Sequence, residues 1–331
     1  MMKRIFLFWL FLSLSGIVVA QNKASLKFNT SGEFKIIQLT DTHVNTSKGE
    51  NLLIFEHLKK IISIEKPDLV VITGDIVTEN NPQKGFMMFD KAFQEAGVPW
   101  VMVFGNHDSE NNLSRKDLAD FLQSRPGCLN IDKEETDGNS NFVLTVSGKD
   151  GKSAALLYFM DSNDYSTLKP RVDGWGWFTH KQVDWYRATS KAYTAANGGA
   201  PYPAVAFFHI PFPEYELAMK NEKAIVFGEK REPVCAPEIN TGMFAAMLES
   251  GDVMGTFAGH DHYNDYIVTY YDIALAYGRA SKLRNQSNPE LGGRVIVLKE
   301  GKRAFATWIR DMHGKKEQSC TYPESFTVKK Y

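Results

Sequence analysis

Short apolar runs rich in β-branched residues recur along the chain, each too brief for a buried helix. Phe34 to Leu39 (FKIIQL), Leu69 to Thr73 (LVVIT) and Trp100 to Phe104 (WVMVF) are nearly continuous rather than alternating, the pattern of strands covered on both faces. Between them, Leu52 to Ile64 and Gly85 to Ala96 carry apolar residues at helical spacing. Ser114, with Asp117 three residues on, predicts the cap of a helix reaching about Gln123. The order is β-α-β-α. Farther along, Gly148-Lys149-Asp150-Gly151 separates Phe142 to Val146 from Ala154 to Met160 and predicts a hairpin. Thr179 and Gln182 predict a capping box for a helix to about Ala196, which Asn197-Gly198-Gly199 ends. The strand grammar returns at Ala204 to Phe208 and Val253 to Phe257, and the tail from Tyr266 (YIVTYYDIALAY, RVIVLKEG, AFATWIR) reads as antiparallel strands. The class is α/β, and no linker or repeat divides residues 21–331, so one domain is expected.

Polar residues at the ends of these runs carry the candidate chemistry. Asp41 and His43, Asp75, Asn106 and His107, His209, and His260 and His262 all follow predicted strands. In open α/β sheets that rim is where ligands bind, because the strands deliver side chains from distant parts of the chain to one edge. One Asp after a strand is ordinarily a turn former or helix cap, and one His there is ordinarily structural. His57 inside a helical pattern, His180 opening a helix and His313 in the polar tail keep that ordinary reading. Five of the eight histidines on one rim do not. On an extended backbone positions i and i+2 share a side, so His260 and His262 are expected to aim at one point. Asp41, His43, Asp75, Asn106, His209, His260 and His262 exceed the four ligands of one zinc site. A shared carboxylate lets them serve two ions. Imidazole, carboxylate and amide donors suit Zn²⁺, Mn²⁺ or iron better than Ca²⁺ or copper.

Charge and composition narrow the class. The 38 basic and 39 acidic side chains nearly cancel, so no nucleic-acid or membrane-surface signature is present. Lys3 and Arg4, the apolar stretch Ile5 to Leu14 and the small-residue end Val18-Val19-Ala20 read as a signal peptide over residues 1–20. An exported protein, periplasmic or secreted and without a membrane anchor, is expected. Cys128, Cys235 and Cys320 allow at most one disulfide and sit in no C-x-x-C pair.

In order, the chain carries D-x-H (Asp41, His43), G-D (Gly74, Asp75), G-N-H-D (Gly105 to Asp108), His209 and G-H-x-H (Gly259 to His262). This resembles the calcineurin-like metallophosphoesterases. The stretches QLTDTHV, PDLVVITGD, VPWVMVFGNHD, YFMDSNDYS, GWGW, FFHIPFPEY and GDVMGTFAGHDHYNDY resemble their purple-acid-phosphatase-like branch over about residues 34–280. The resemblance implies a four-layer α/β/β/α sandwich with two central mixed sheets and a centre of two metal ions (zinc, manganese or iron). Asp41, His43 and His262 would hold the first, Asn106, His209 and His260 the second, and Asp75 would bridge them. His107 would face the substrate as an acid, with Asp108 orienting its ring. The implied reaction is hydrolysis of a small phosphorylated substrate, a monoester ahead of a diester, with a non-catalytic metal-binding module as the third reading. Where true purple acid phosphatases carry an iron-binding tyrosine three residues after the bridging Asp, this chain has Thr78. The loop DSNDYSTLKPRVDGWGW and the stretch PFPEYE are expected to form the rim; Trp175 and Trp177 could stack on a leaving group but more readily pack the loop against the body, Tyr165, Glu214 and Tyr215 carry the same two readings, and Arg231 or Arg279 could grip phosphate.

Overall fold

Continuous apolar runs need cover on both faces, and the fold supplies it in four layers. The computed structural model describes residues 24–49, 52–110, 112–133, 135–282 and 291–327; the expected signal segment lies outside them. The first sheet is built from β1 (Glu33–Leu39), β2 (Leu69–Thr73), β3 (Trp100–Val103), β10 (Gly292–Lys299), β11 (Phe305–Asp311) and β12 (Lys316–Tyr322), in the order β12-β11-β10-β1-β2-β3. The second contains β4 (Phe142–Ser147), β5 (Ser153–Phe159), β6 (Ala204–Phe207), β7 (Val253–Ala258), β8 (Ile267–Tyr270) and β9 (Ile273–Tyr277), in the order β4-β5-β6-β7-β9-β8. Helices α1 (Leu52–Glu65), α2 (Pro82–Glu95) and α3 (Arg115–Gln123) cover the first sheet. Helices α4 (His180–Ala196), α5 (Glu214–Met219) and α6 (Met243–Ser250) cover the second.

The two-residue period of a strand sorts each run between layers. Leu69 and Val71 of β2 enter the core between the sheets, while Val70 and Ile72 meet the helices. Leu157 and Phe159 of β5 face inward and Leu156 and Tyr158 outward. Each fully buried Val, Leu or Ile contributes roughly 1.5–3 kcal/mol, so a one-residue slip would forfeit both faces at once. Between the sheets an aromatic ladder crosses neighbouring strands, with ring centroids 5.0 Å apart for Phe142 and Phe159, 5.4 Å for Phe159 and Phe207, and 5.4 Å for Phe207 and Phe257. It ends two residues before His209 and three before His260, so both histidines leave rigid strands.

The parallel strands β1, β2 and β3 of one sheet and β6 and β7 of the other end at the same rim. Several elements differ from the sequence pattern. Helix α2 begins at Pro82 rather than Gly85, because Pro at the first helical position is pre-set for helix and needs no donor. The tail strands divide between sheets: β10 pairs antiparallel with β1, whereas β9 lies parallel to β7 and antiparallel to β8. Strand β12 buries only Cys320 and Tyr322 and carries no apolar signature. Helix α6 is bounded by Gly242 and Gly251, both left-handed. No disulfide links Cys128, Cys235 or Cys320, and no described helix is long and apolar enough to cross a membrane.

Candidate metal centre

The site forms at the seam where the strand ends of the two sheets meet. Gln38 Nε2, at the end of β1, donates to Thr73 Oγ1 of β2 and to the Ala258 carbonyl of β7, each at 2.9 Å. Beyond that stitch the chain leaves extended geometry. Asp41, His43, Asp75 and His260 all have left-handed backbone, with φ of 52°, 44°, 52° and 77°. Such conformations cost of order 1–3 kcal/mol each and persist where surrounding structure over-determines them. The i, i+2 argument for His260 and His262 is thereby corrected: the pair lies past β7 in a tight turn, closed by the Asp261 amide donating to the Gly259 carbonyl at 2.9 Å. Asp261 still points away, taking Tyr277 Oη at 2.5 Å. Gly259 is obligatory for this approach, because a Cβ there would lie 2.1 Å from Thr40 Oγ1 and 2.7 Å from the Thr73 carbonyl. Gly259→Ala is expected to lower stability by about 1–3 kcal/mol and to weaken metal uptake, read by thermal melts and metal analysis.

Seven side chains converge into two groups sharing Asp75. In the first, Asp41 Oδ1 lies 3.3 Å from His262 Nε2 and 4.0 Å from His43 Nε2. His43 Nε2 is 3.2 Å from His262 Nε2 and 3.7 Å from Asp75 Oδ2. In the second, His209 Nε2 is 3.3 Å from Asp75 Oδ2, 3.2 Å from Asn106 Oδ1 and 3.3 Å from His260 Nδ1. An ion bound tetrahedrally at roughly 2.0–2.1 Å holds its donor atoms about 3.3–3.4 Å apart. Five of the seven edges, at 3.2–3.3 Å, match that spacing, whereas the two from His43 to Asp41 and Asp75 are wider, at 4.0 and 3.7 Å. Two imidazole nitrogens this close must share either a proton or a cation, and buried Asp41 Oδ1 has no hydrogen bond among the described residues. The donor set therefore fits two ions, with Asp75 Oδ2 common to both groups.

Burial and charge leave most donors ready for metal. Burial holds His43 down at about 4 and His260 at about 3, so both rings present lone pairs at neutral pH. Burial also lowers His209, but Asp75, Asp41 and the Thr73 carbonyl together outweigh it and raise the ring to about 10. Asp75 is itself held well below the carboxylate range by His209, against burial. Burial likewise raises Asp41, and His262 and His209 outweigh it to leave the group at about 2. Metal would replace the proton that His209 carries, so binding releases protons.

Comparison with known proteins then decides the family. The calcineurin-like phosphoesterase pattern matches residues 34–264. The chain belongs to that family. It is 32% identical over 316 residues to an Arabidopsis thaliana protein named probable inactive purple acid phosphatase 14, covering 83% of this chain and 77% of the other. It is also 32% identical over 292 residues to Phosphatase DCR2 of Saccharomyces cerevisiae, covering 76% of this chain and 49% of that one. A dimetal phosphatase from Danio rerio shares the fold, with a TM-score of 0.59 over 87% of this chain and 98% of the other at 13% identity.

Around the candidate donors of this member of the calcineurin-like phosphoesterase family, several side chains depart from expectation. Asp108 does not meet the His107 ring; its carboxylate accepts the amides of Asp75, Ile76 and Gly105 at 2.8–2.9 Å. Burial and the neighbouring Asp75 push it up to about 6. It braces the loop that carries Asp75. The ring instead meets Glu110, which the sequence pattern did not single out: His107 Nδ1 lies 2.5 Å from Glu110 Oε2. Residues i and i+3 eclipse on a 3-10 turn, and Asn106–Ser109 form one. Burial raises Glu110, but the hydrogen bonds from His107 and Tyr165 prevail and hold it below the usual range. Arg115, also unforeseen, donates to Asp161 Oδ1 at 2.7 Å and to the Gly105 carbonyl at 2.8 Å, tying the 161–178 loop to the Asn106 turn. Within that loop Trp175 stacks on Tyr165 at 5.5 Å and sets its edge against His260 at 4.3 Å. Glu214 and Tyr215 are buried under the second sheet rather than on the rim; Tyr215 Oη meets Thr256 Oγ1 at 2.9 Å. Arg279 is buried against Asp265 and Glu317, at 2.6 and 2.8 Å, and cannot grip phosphate. Arg231 pairs with Glu229 at 2.6 Å. Thr78 donates its hydroxyl to the His43 carbonyl at 3.3 Å, so it braces the D-x-H loop where the purple enzymes place tyrosine.

Proposed function

We propose that this chain is a phosphoesterase acting on phosphomonoesters with two transition-metal ions. The observation that carries the proposal is the convergence of two groups of metal-ligating side chains that share Asp75 beside His107, whose ring lies 5.4 Å from that of His43. When bound, the ions supply charge neutralisation at the phosphoryl oxygens and acidify water toward neutral pKa. Asp41, His43, His262 and Asp75 would hold one, and Asn106, His209, His260 and Asp75 the other. His107 would give the Nε2 proton to the departing oxygen as the P–O bond breaks, leaving a neutral ring. The left-handed loops fix the donors before substrate arrives, so little reorganisation accompanies the reaction.

A relative's name marks that protein as probably inactive, which favours testing the binding-module reading directly. In this chain the seven donors and His107 are all present, which supports catalysis. The deciding experiment is metal analysis of the purified protein together with turnover of p-nitrophenyl phosphate and bis(p-nitrophenyl) phosphate. About two equivalents of metal with monoester turnover are expected. Diester turnover alone would make it a phosphodiesterase, and two metals with neither activity would make it a binding module. Export belongs to the same proposal: the protein recovered from expressing cells is expected to begin at Gln21, and an intact Met1 would overturn the signal-peptide reading.

A further inference from the structure

We propose that Glu110 is a positioning residue for His107, and that Tyr165 locks it in place from the 161–178 loop. Glu110 bridges two elements: its Oε2 lies 2.5 Å from His107 Nδ1, and its Oε1 accepts Tyr165 Oη at 2.5 Å. Tyr165 Oη also accepts Asn106 Nδ2 at 3.4 Å. The chain of contacts thus runs from the 161–178 loop through Glu110 to His107, and separately from that loop to a candidate ligand.

Three observations assign this cluster to chemistry rather than stability. The Glu110 side chain is 45% exposed and that of His107 37%, and exposed ion pairs contribute little to folding. The carboxylate nearer in sequence, Asp108, is engaged by three backbone amides and is unavailable. A carboxylate at Nδ1 fixes an N–H on that nitrogen, which sets the ring's orientation and leaves Nε2 as the edge that meets substrate, the logic of an oriented catalytic imidazole.

The role of His107 rests on the proposed phosphoester hydrolysis. In that step water forms the new P–O bond, the old P–O bond breaks with its electron pair on the leaving oxygen, and that oxygen takes the Nε2 proton. The imidazole is left neutral, with its Nδ1–H still given to Glu110. Help of this kind matters for an alkoxide and little for p-nitrophenolate, which departs without a proton.

Glu110→Ala, with its metal content verified, is therefore expected to lose about 10–100-fold in kcat on an alkyl phosphate. On p-nitrophenyl phosphate the loss is about threefold or less, with KM little changed on both. Glu110→Gln, which still accepts from Nδ1 but carries no charge, falls between wild type and Glu110→Ala. Tyr165→Phe gives a smaller loss of the same leaving-group pattern. A second readout needs no turnover: nitrogen-15 histidine spectra of the metal-free and metal-loaded protein. The neutral His107 ring is expected to carry its proton on Nδ1 in the wild type and to shift toward the Nε2–H form in Glu110→Ala. Equal losses on both esters, or a tautomer unchanged in Glu110→Ala, would overturn the assignment. A wild type that turns over no ester would overturn the proposed function instead, and the tautomer would still decide whether Glu110 positions the ring.

Discussion

Replacing Asp75 with Ala is expected to empty both metal positions at once and to reduce turnover at least on the order of 10³-fold, beyond the cost of losing one stabilising donor. The reason is placement. Asp75 Oδ2 is 3.3 Å from His209 Nε2 and 3.7 Å from His43 Nε2, so the same oxygen completes both ligand groups. Its Oδ1 accepts the His107 amide at 2.9 Å, and its removal also loosens the turn that carries His107 and Asn106. With the carboxylate gone, two clusters of imidazole nitrogens face one another with less negative charge between them, and His209 loses the partner that raises its proton affinity. Asp75→Asn separates the causes, since it keeps an acceptor for the His107 amide while removing the charge. Metal analysis by mass spectrometry, with a circular-dichroism melt to verify folding, measures the outcome. A full single equivalent retained in Asp75→Ala would mean that the two groups do not share this ligand.

His107→Ala should behave in the opposite way, keeping about two metals while losing roughly 10²–10⁴ in kcat, the range of one general acid. The His107 backbone amide that contacts Asp75 is unaffected by truncation. Because the side chain is 37% exposed, its removal leaves no buried cavity, and the melt should move little. The loss should grow with the basicity of the leaving group. Metal lost from His107→Ala would make that residue a ligand. An unchanged kcat on an alkyl phosphate would remove it from the reaction. Together, the Asp75 and His107 variants divide the site into residues that hold charge and a residue that moves a proton.

Much of this protein was legible without coordinates because its informative patterns are local. Runs such as LVVIT, covered on both faces, announce buried strands, and polar residues directly after them must fall on the strand-end rim. The donor types narrow the metal, and the ordered motifs from Asp41 to His262 name the family. Other features depend on which distant segment lies alongside, and no local period encodes that. Glu110 and Asp108 are both acids within three residues of His107, and only the 3-10 turn and the nearby loop amides decide which meets the ring. The polar edge strand Lys316–Tyr322 exists because β11 offers it hydrogen bonds, and Glu214 and Tyr215 are buried because α5 packs under the second sheet. His260 and His262 converge through a left-handed turn held by Asp41, whose Oδ2 takes the His260 amide at 3.1 Å, not through an extended strand. The sequence by itself determined the layers, the rim and the donor set, since burial and coordination chemistry act through residue type and spacing. The tertiary structure alone decided which acid meets the His107 ring and how the histidine donors are arranged, since those choices depend on turn geometry and on contacts between distant segments.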